Sequence, residues 1–241
     1  MKNYDIEMWK YAKELKTSHP DLGHIHKANS SAILQNVQIK LNSLGMRSEQ
    51  IQEDKEKIVF LGASLTLGWG VNYHEAYPTI IGENLSKDFP NYQVLNSSTG
   101  NYNSYCYINN FLQNQSHLKP KYIIINYCVN DTELLPDSSK NWFIKNSQLV
   151  ATLYITIKKI LSQKDAGLVD YYNNLHEESN GGYQLMIESM SQLSDYSKKN
   201  DVKVIFVFIP EVHFLDNYPF LNINQKMKKV AIEFGFDFFD L

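Results

Sequence analysis

The stretch IVFLGASLTLGWG, residues 58–70, decides the fold prediction. Its first five residues form a continuous apolar run that ends in Gly62, which is typical of a short buried strand. Small and hydroxyl-bearing residues follow at once, and Ser64 stands two positions after the run. Pro78 then suits the first turn of a helix. The stretch therefore predicts a strand, a short loop and a helix.

The same order of strand, loop and helix repeats toward the C-terminus. Apolar runs predict further strands at 92–96, 121–129, 202–210 and 236–241. Apolar residues at helical spacing predict helices near 105–112, 146–162, 183–199 and 223–234. Alternating strands and helices imply an α/β domain whose five strands form a parallel sheet with helices on both faces.

Residues 1–57 are predicted to form a small extension of helix and strand before the α/β domain at 58–241. A broad apolar face over 5–16 is typical of an amphipathic helix. Residues 36–41 alternate apolar and polar side chains, which predicts a half-exposed strand. The charged segment 48–57 separates the two parts.

Composition excludes several kinds of site. The net charge of −3 and the pI near 6.2 argue against a nucleic-acid partner, which requires a basic surface. Arg47 is the single arginine, so a site built from arginine clamps on phosphate is not expected. Cys106 and Cys128 are too few for a disulfide framework or a zinc cluster.

No targeting signal or membrane span is predicted. The N-terminal segment MKNYDIEMWKYAKELK is charged throughout and lacks the apolar core of a signal peptide. The longest apolar run, 204–210, is too short to cross a bilayer. We therefore expect a soluble, cytoplasmic protein.

Polar residues follow each of the first three predicted strands. Ser64 follows the first strand, a small-residue loop with Ser98 follows the second, and Asn130 follows the third. Ligands of parallel sheets bind at these carboxyl ends. A serine can act as a nucleophile, and neutral N–H donors can stabilise an oxyanion. Taken one at a time, a helix cap or a plain polar loop is the structural alternative.

Together these segments resemble the SGNH hydrolase superfamily, the GDSL-type esterases and lipases. IVFLGASLTLGWGV, VLNSSTGNYNSY and IIINYCVNDTE are similar to the family's first three sequence blocks. The resemblance covers 58–241 and implies a flavodoxin-like three-layer α/β/α fold. It also implies hydrolysis of a small-molecule acyl ester, for example an acetylated carbohydrate, through an acyl-enzyme, with neither cofactor nor metal. It sets no oligomeric state.

The resemblance assigns catalytic roles to three residues. Ser64 corresponds to the nucleophile. The backbone N–H groups of Ser64 and Ser98 and the side-chain amide of Asn130 correspond to the oxyanion hole. These types suit the chemistry, because losing one preorganised donor typically costs roughly 10²–10³ in rate.

The sequence departs from the family pattern near each of those residues. Ala63 replaces an aspartate, Ser98 and Asn101 replace glycines, and Cys128 replaces a small residue. Ser98 can still donate its N–H if its φ is negative. If the loop requires a positive φ there, we expect Gly100 to take that role. For Cys128 we expect a buried free thiol without a catalytic role.

The family's general base is a histidine in an Asp-x-x-His segment after the fifth strand, and the given sequence stops at Leu241 without one. We therefore expect a domain that is incomplete at its C-terminus, with impaired activity. His213, after the fourth strand, is the alternative base, although a surface-loop histidine is the simpler interpretation. His24 and His26 have a metal-like spacing but no third ligand nearby, which favours a solvated loop.

Two further expectations follow from the C-terminal half. Phe236, Phe238 and Phe239 are expected at a sheet edge without a covering helix, where exposed aromatic surface favours aggregation. Tyr171 and Tyr172 lie in the long connection before the fourth strand and are able to stack on a sugar, although packing is the simpler role.

Three other functions remain open at this level. A catalytically inactive remnant or binding module would have the same fold without turnover. An O-acyltransferase would use the same Ser64 chemistry with an alcohol as the acceptor. A flavodoxin-like phosphate or flavin binder would use Ser64 and Thr66, but the lack of phosphate-clamping cations argues against it.

Overall fold

The computed structural model describes residues 4–134 and 167–241. Its N-terminal part is one helix and two antiparallel hairpins: α1 (Tyr4–Leu15), β1 (Lys16–His19) with β2 (Gly23–His26), and β3 (Ser31–Leu34) with β4 (Val37–Lys40). The predicted helix and the predicted strand at 36–41 are confirmed. The hairpin β1–β2 was not predicted, because four-residue strands rich in polar side chains carry almost no alternating pattern.

Five parallel strands form the central sheet. They are β5 (Glu56–Leu61), β6 (Tyr92–Asn96), β7 (Tyr122–Tyr127), β8 (Lys203–Phe208) and β9 (Asp237–Asp240). Their spatial order is β6-β5-β7-β8-β9, and every neighbouring pair is parallel. The predicted flavodoxin-like, five-stranded α/β fold is confirmed.

Six described helices accompany the sheet: α2 (Ser64–Leu67), α3 (Tyr77–Asp88), α4 (Ser104–Asn110), α5 (Leu168–Leu175), α6 (Gly181–Asn200) and α7 (Leu221–Glu233). None of these helices is long and apolar enough to cross a membrane. The helix predicted at 146–162 lies outside the described residues.

The chain reverses its direction across the sheet after β6, and this divides the helices into two layers. The step from β5 to β6 runs one way and the later steps run the other way, so right-handed crossovers place α3 on one face and α4, α6 and α7 on the opposite face. On the first face Tyr77 packs edge-on against Phe60, with ring centroids 6.1 Å apart. On the second, the Ser194 hydroxyl of α6 donates to the Phe234 carbonyl after α7, at 2.7 Å.

The expectation of exposed aromatics at β9 is correct for one of three residues. Phe239 is 57% exposed. Phe236 is buried in the main core, and Phe238 stacks on Phe206 with centroids 5.9 Å apart. Because side chains alternate along a strand, Phe238 and Phe239 point to opposite faces of the sheet. The prediction was wrong for Phe236 because this residue packs beneath the C-terminal end of α7 instead of lying at an edge.

Arg47 joins the N-terminal part to the turn that follows α2. Its side chain is buried, and Nη1 donates to the carbonyls of Leu67 and Gly68 at 2.9 and 2.6 Å, while Nη2 donates to Val71 at 2.8 Å. No acidic side chain in the described ranges forms an ion pair with it. Burial lowers the pKa of the guanidinium. The arginine therefore binds carbonyl dipoles of this chain.

We expect Arg47→Met to lower the free energy of unfolding by about 2–5 kcal/mol, because three buried carbonyls lose their donors. Urea denaturation followed by circular dichroism measures this. Lys40→Met, at an exposed position of β4, is the control and should change stability by less than about 0.5 kcal/mol. Equal effects of the two substitutions would contradict the role assigned to Arg47.

Candidate active site

The three residues singled out from the sequence follow adjacent strands of the sheet. Ser64 comes three positions after β5, Ser98 two after β6, and Asn130 three after β7. Because β6 and β7 flank β5, their loops leave the sheet side by side at its carboxyl end. The first two loops are in direct contact, since the N–H of Thr99 donates to the carbonyl of Gly62 at 3.2 Å.

Ser64 is the first residue of a single helical turn. It is partly exposed, and neither its hydroxyl nor its N–H has a hydrogen-bond partner within the described segments. Gly62 lets the backbone before Ser64 lie close to the side chain of Thr66, because a Cβ at position 62 would clash with the Thr66 hydroxyl oxygen. Gly68 ends the turn with a φ of +81°. Ser64 is thus presented at a bend with both of its donor groups available.

The second loop holds Ser98 in the interior. Ser98 is fully buried, and its N–H donates to Oδ1 of Asn96 at 3.2 Å, while its Oγ has no partner among the described residues. The left-handed position of the loop is Asn101, with φ +66°, and neither Ser98 nor Gly100 has a positive φ. Asparagine tolerates this conformation better than most residues. The condition set for Ser98, a negative φ, is met, but its N–H is shared with Asn96.

Gly100, the alternative donor, has both of its backbone groups occupied. Its N–H donates to the Tyr11 hydroxyl at 2.8 Å, and its carbonyl accepts from Nζ of Lys16 at 2.7 Å. Both partners come from the N-terminal part of the chain. Sequence reasoning missed Tyr11 and Lys16, because nothing local relates them to a loop more than 80 residues away.

The third loop leaves Asn130 exposed, and its amide has no partner in the part of the chain that the structure describes. The adjacent Asp131 is buried. Its Oδ2 accepts from the Tyr107 hydroxyl at 3.1 Å and from the N–H of Cys128 at 3.2 Å, whereas Oδ1 has no partner. Burial raises the pKa of Asp131 to about 7. The carboxyl therefore fixes the bend that carries Asn130.

Sequence reasoning did not identify Asp131 as part of the site. Its position directly after Asn130 is the sequence signal that relates the two, and an Asn-Asp pair by itself indicates only a helix cap. Cys128 is a free, partly buried thiol, as expected. Burial and the nearby Asp131 carboxylate raise its pKa well above the ordinary range. Its thiolate is scarce at neutral pH, so the side chain is a poor nucleophile.

The prediction of a solvated loop at His24 and His26 was wrong. Both lie on β2, where Nδ1 of His26 donates to the Gly45 carbonyl at 2.8 Å and the Tyr11 hydroxyl donates to Nε2 at 2.6 Å. Burial lowers the pKa of both imidazoles to about 3, so both are neutral. The described residues contain no group of three His, Cys, Asp or Glu side chains placed to hold a metal.

No histidine within the described ranges hydrogen-bonds the Ser64 hydroxyl. His74 pairs with Glu83 on the surface at 2.5 Å, and Nε2 of His176 binds the Tyr127 hydroxyl in the interior at 2.6 Å. The backbone of His213 lies in the turn Val212–Asn217, but its side chain lies outside the described part. His213 therefore stays a prediction.

Comparison with known proteins gives structural similarity alone. No family model and no curated protein matches the chain. It is similar to the crystal structure of TesA (12% identity, 76% of this chain and 77% of that chain, TM-score 0.49). It is also similar to a catalytic mutant of Axe2, an acetylxylan esterase from Geobacillus stearothermophilus (12%, 76% and 74%, 0.47), and to the psychrotrophic esterase EstA from Pseudoalteromonas sp. (10%, 78% and 78%, 0.44). At these values the likeness assigns neither an activity nor a residue's role to this chain.

We expect Asp131→Asn to flatten the dependence of stability on pH. The folded pKa of Asp131, about 7, lies above its unfolded value, so the neutral form stabilises the fold fully below about pH 4. This contribution is lost as the pH rises toward 7, and its size is on the order of a few kcal/mol. Urea denaturation at pH 4.5 and pH 7.5 measures the difference between wild type and variant.

Asp237→Asn, at an exposed position of β9, is the matched control for the loss of one carboxylate. The lowered pKa values of His24 and His26 make stability fall at acidic pH, opposite to the effect of Asp131. Both histidines are present in wild type and in each variant, so their contribution cancels in the comparison. An Asp131→Asn difference that is constant between the two pH values would contradict the raised pKa.

Proposed function

We propose that this protein is a serine ester hydrolase of the SGNH type that acts on small acyl esters. The observation that carries the proposal is the juxtaposition of three strand-end loops in which the Ser64 hydroxyl and the Asn130 amide have no partner within the described residues. Polar groups exposed in this way at the carboxyl end of a parallel sheet are available to a ligand.

The proposed reaction proceeds in two steps through an acyl-enzyme. Oγ of Ser64 bonds to the ester carbonyl carbon and gives up its proton, and the carbonyl oxygen becomes an oxyanion. Collapse of this intermediate breaks the bond to the alcohol, which leaves with a proton. Water then attacks the acyl-enzyme, releases the carboxylic acid and restores the Ser64 hydroxyl.

The oxyanion would be stabilised by neutral donors. The N–H of Ser64 and the amide of Asn130 have no competing partner in the described segments. The N–H of Ser98 would join them if its long, 3.2 Å bond to Asn96 were shared with the oxyanion. Donors of this kind act most strongly where water is excluded.

We expect slow turnover, because no imidazole in the described ranges hydrogen-bonds the Ser64 hydroxyl that would have to be deprotonated. The same observation favours a second candidate, a catalytically inactive binding module of this fold. Turnover that depends on Ser64 distinguishes the two, because a binding module shows none.

For the substrate we propose an acetylated carbohydrate. Tyr171 is 47% exposed, and its hydroxyl donates to Glu133, three residues beyond Asn130, at 3.1 Å. An exposed aromatic ring beside the third loop offers a surface on which a sugar can stack. Tyr172 is instead packed edge-on against Phe220, with ring centroids 5.5 Å apart.

We expect Ser64→Ala to abolish hydrolysis of p-nitrophenyl acetate above the uncatalysed rate, because the variant has no hydroxyl to form the acyl-enzyme. Release of p-nitrophenol measures the loss. Ser86→Ala, on the exposed side of α3, is the control and should retain full turnover. Equal turnover of wild type and Ser64→Ala would refute the proposed function. Product analysis with an added alcohol separates hydrolysis from acyl transfer.

We expect Asn130→Ala to lower kcat by roughly 10²–10³ with little change in KM, because the amide would act mainly in the transition state. Ser98→Ala is the contrasting variant, since it keeps the backbone N–H and should retain most of the rate. If Ser98→Ala lowered kcat more than Asn130→Ala, the Ser98 side chain rather than its backbone N–H would contribute to catalysis. The proposed oxyanion hole would then be wrong.

A further inference from the structure

The N-terminal part of the chain contacts the second loop at Tyr102, whose hydroxyl donates to the His24 carbonyl, and at Gly100, where both backbone groups are bound. The Tyr11 hydroxyl accepts from the N–H of Gly100 at 2.8 Å, and Lys16 Nζ donates to the carbonyl of Gly100 at 2.7 Å. Nε2 of His24 lies 3.3 Å from the same carbonyl oxygen. A Cβ on Gly100 would lie 2.7 Å from the ring of Tyr11, so the close approach requires glycine.

Tyr11 is fixed in the orientation that binds Gly100. The carbonyl of Gly45 accepts from Nδ1 of His26, so Nε2 is left as the acceptor for the Tyr11 hydroxyl proton, at 2.6 Å. The hydroxyl oxygen of Tyr11 therefore keeps only its acceptor capacity for the N–H of Gly100. A fully satisfied buried chain of this kind holds its members in one arrangement.

The position of the Lys16 ammonium lowers the free energy of unfolding, so stability alone does not explain why a lysine stands there. Its ammonium lies 4.1 Å from the ring centroid of Tyr11, and no acidic side chain of the described residues pairs with it. Burial lowers its pKa to about 7. Withdrawing an unpaired charge from water destabilises a fold, and an apolar side chain of similar length would avoid that cost.

Gly100 lies between two residues that shape the second loop. Ser98, two positions before Gly100, carries the N–H that the proposed oxyanion hole would use, and Asn101, the next residue, has a φ of +66°. The hydrogen bonds to Gly100 therefore restrain the backbone conformation of the whole loop. Preorganised donors stabilise a transition state because they need no rearrangement during the reaction.

We propose that Lys16 and Tyr11 are positioning residues that hold the second loop of the active site through Gly100. The N-terminal part is then a working component of the enzyme, and this inference rests on the proposed function. Neither side chain touches the substrate in this account. Loss of either should reduce kcat and leave KM nearly unchanged, because the loop acts on the transition state.

The test uses Lys16→Met, Lys16→Arg and Tyr11→Phe in the full chain, with Lys40→Met as the surface control. We expect Lys16→Met and Tyr11→Phe to lower kcat for p-nitrophenyl acetate by about tenfold, with KM changed less than about twofold. Lys16→Arg should recover most of the rate, because it restores a charged donor to the carbonyl.

Hydrogen exchange provides a readout that does not depend on activity. Amides of the peptide spanning 97–103 should exchange about tenfold faster in Lys16→Met and Tyr11→Phe, while those of β7 keep their protection. Unchanged exchange and unchanged kcat in both variants would overturn the proposal. Faster exchange in β7 as well, in both variants, would also overturn it, because the two residues would then serve folding in general.

Ser64→Ala, measured alongside, separates this inference from the function on which it rests. If wild type and Ser64→Ala turn over equally, the proposed function fails and the catalytic role of Lys16 fails with it. If turnover depends on Ser64 but survives Lys16→Met and Tyr11→Phe at full rate, the positioning role alone fails.

Discussion

Buried Arg47 and partly buried Lys16 bind backbone carbonyls of the loops that carry the candidate site. Arg47 binds three carbonyls in the turn after α2, and Lys16 binds the carbonyl of Gly100 in the second loop. Neither forms an ion pair with an acidic side chain in the described ranges. Charged donors make stronger hydrogen bonds than neutral ones, and buried carbonyls left without donors are costly. The first and second loops therefore depend on side chains that precede β5, the first strand of the parallel sheet in the chain.

The third loop is held in a different way. The carboxyl of Asp131 lies inside its own bend, where it accepts from Tyr107 and from the backbone of Cys128. Burial of that carboxyl, like burial of Lys16, costs stability near neutral pH. Costly buried charges placed around exposed, unpartnered polar groups are typical of sites where geometry has been favoured over stability. Ser64 and Asn130 are the groups that this framework surrounds.

The sheet could be predicted because its strands are continuous apolar runs at regular intervals. Runs such as 121–129 are apolar at nearly every position, which is typical of a strand covered on both faces of a parallel sheet. The hairpin β1–β2 was missed because its strands are short and polar, and its stability comes from contacts with α1 and the second loop. The error at His24 and His26 has the same origin, since their burial is created by Tyr11, Gly45 and Gly100, which are distant in the sequence.

The sequence by itself determined the order of strands and helices and which residues follow each strand, because these depend on local patterns of apolar side chains. It also identified Ser64, Ser98 and Asn130 as residues that share one end of the sheet. Only the tertiary structure decided which polar groups there are free and which are occupied. The N–H of Gly100 and the carbonyls bound by Arg47 meet their partners across long stretches of chain. Hydrogen-bond partners at that separation are chosen by packing, and no local pattern records them.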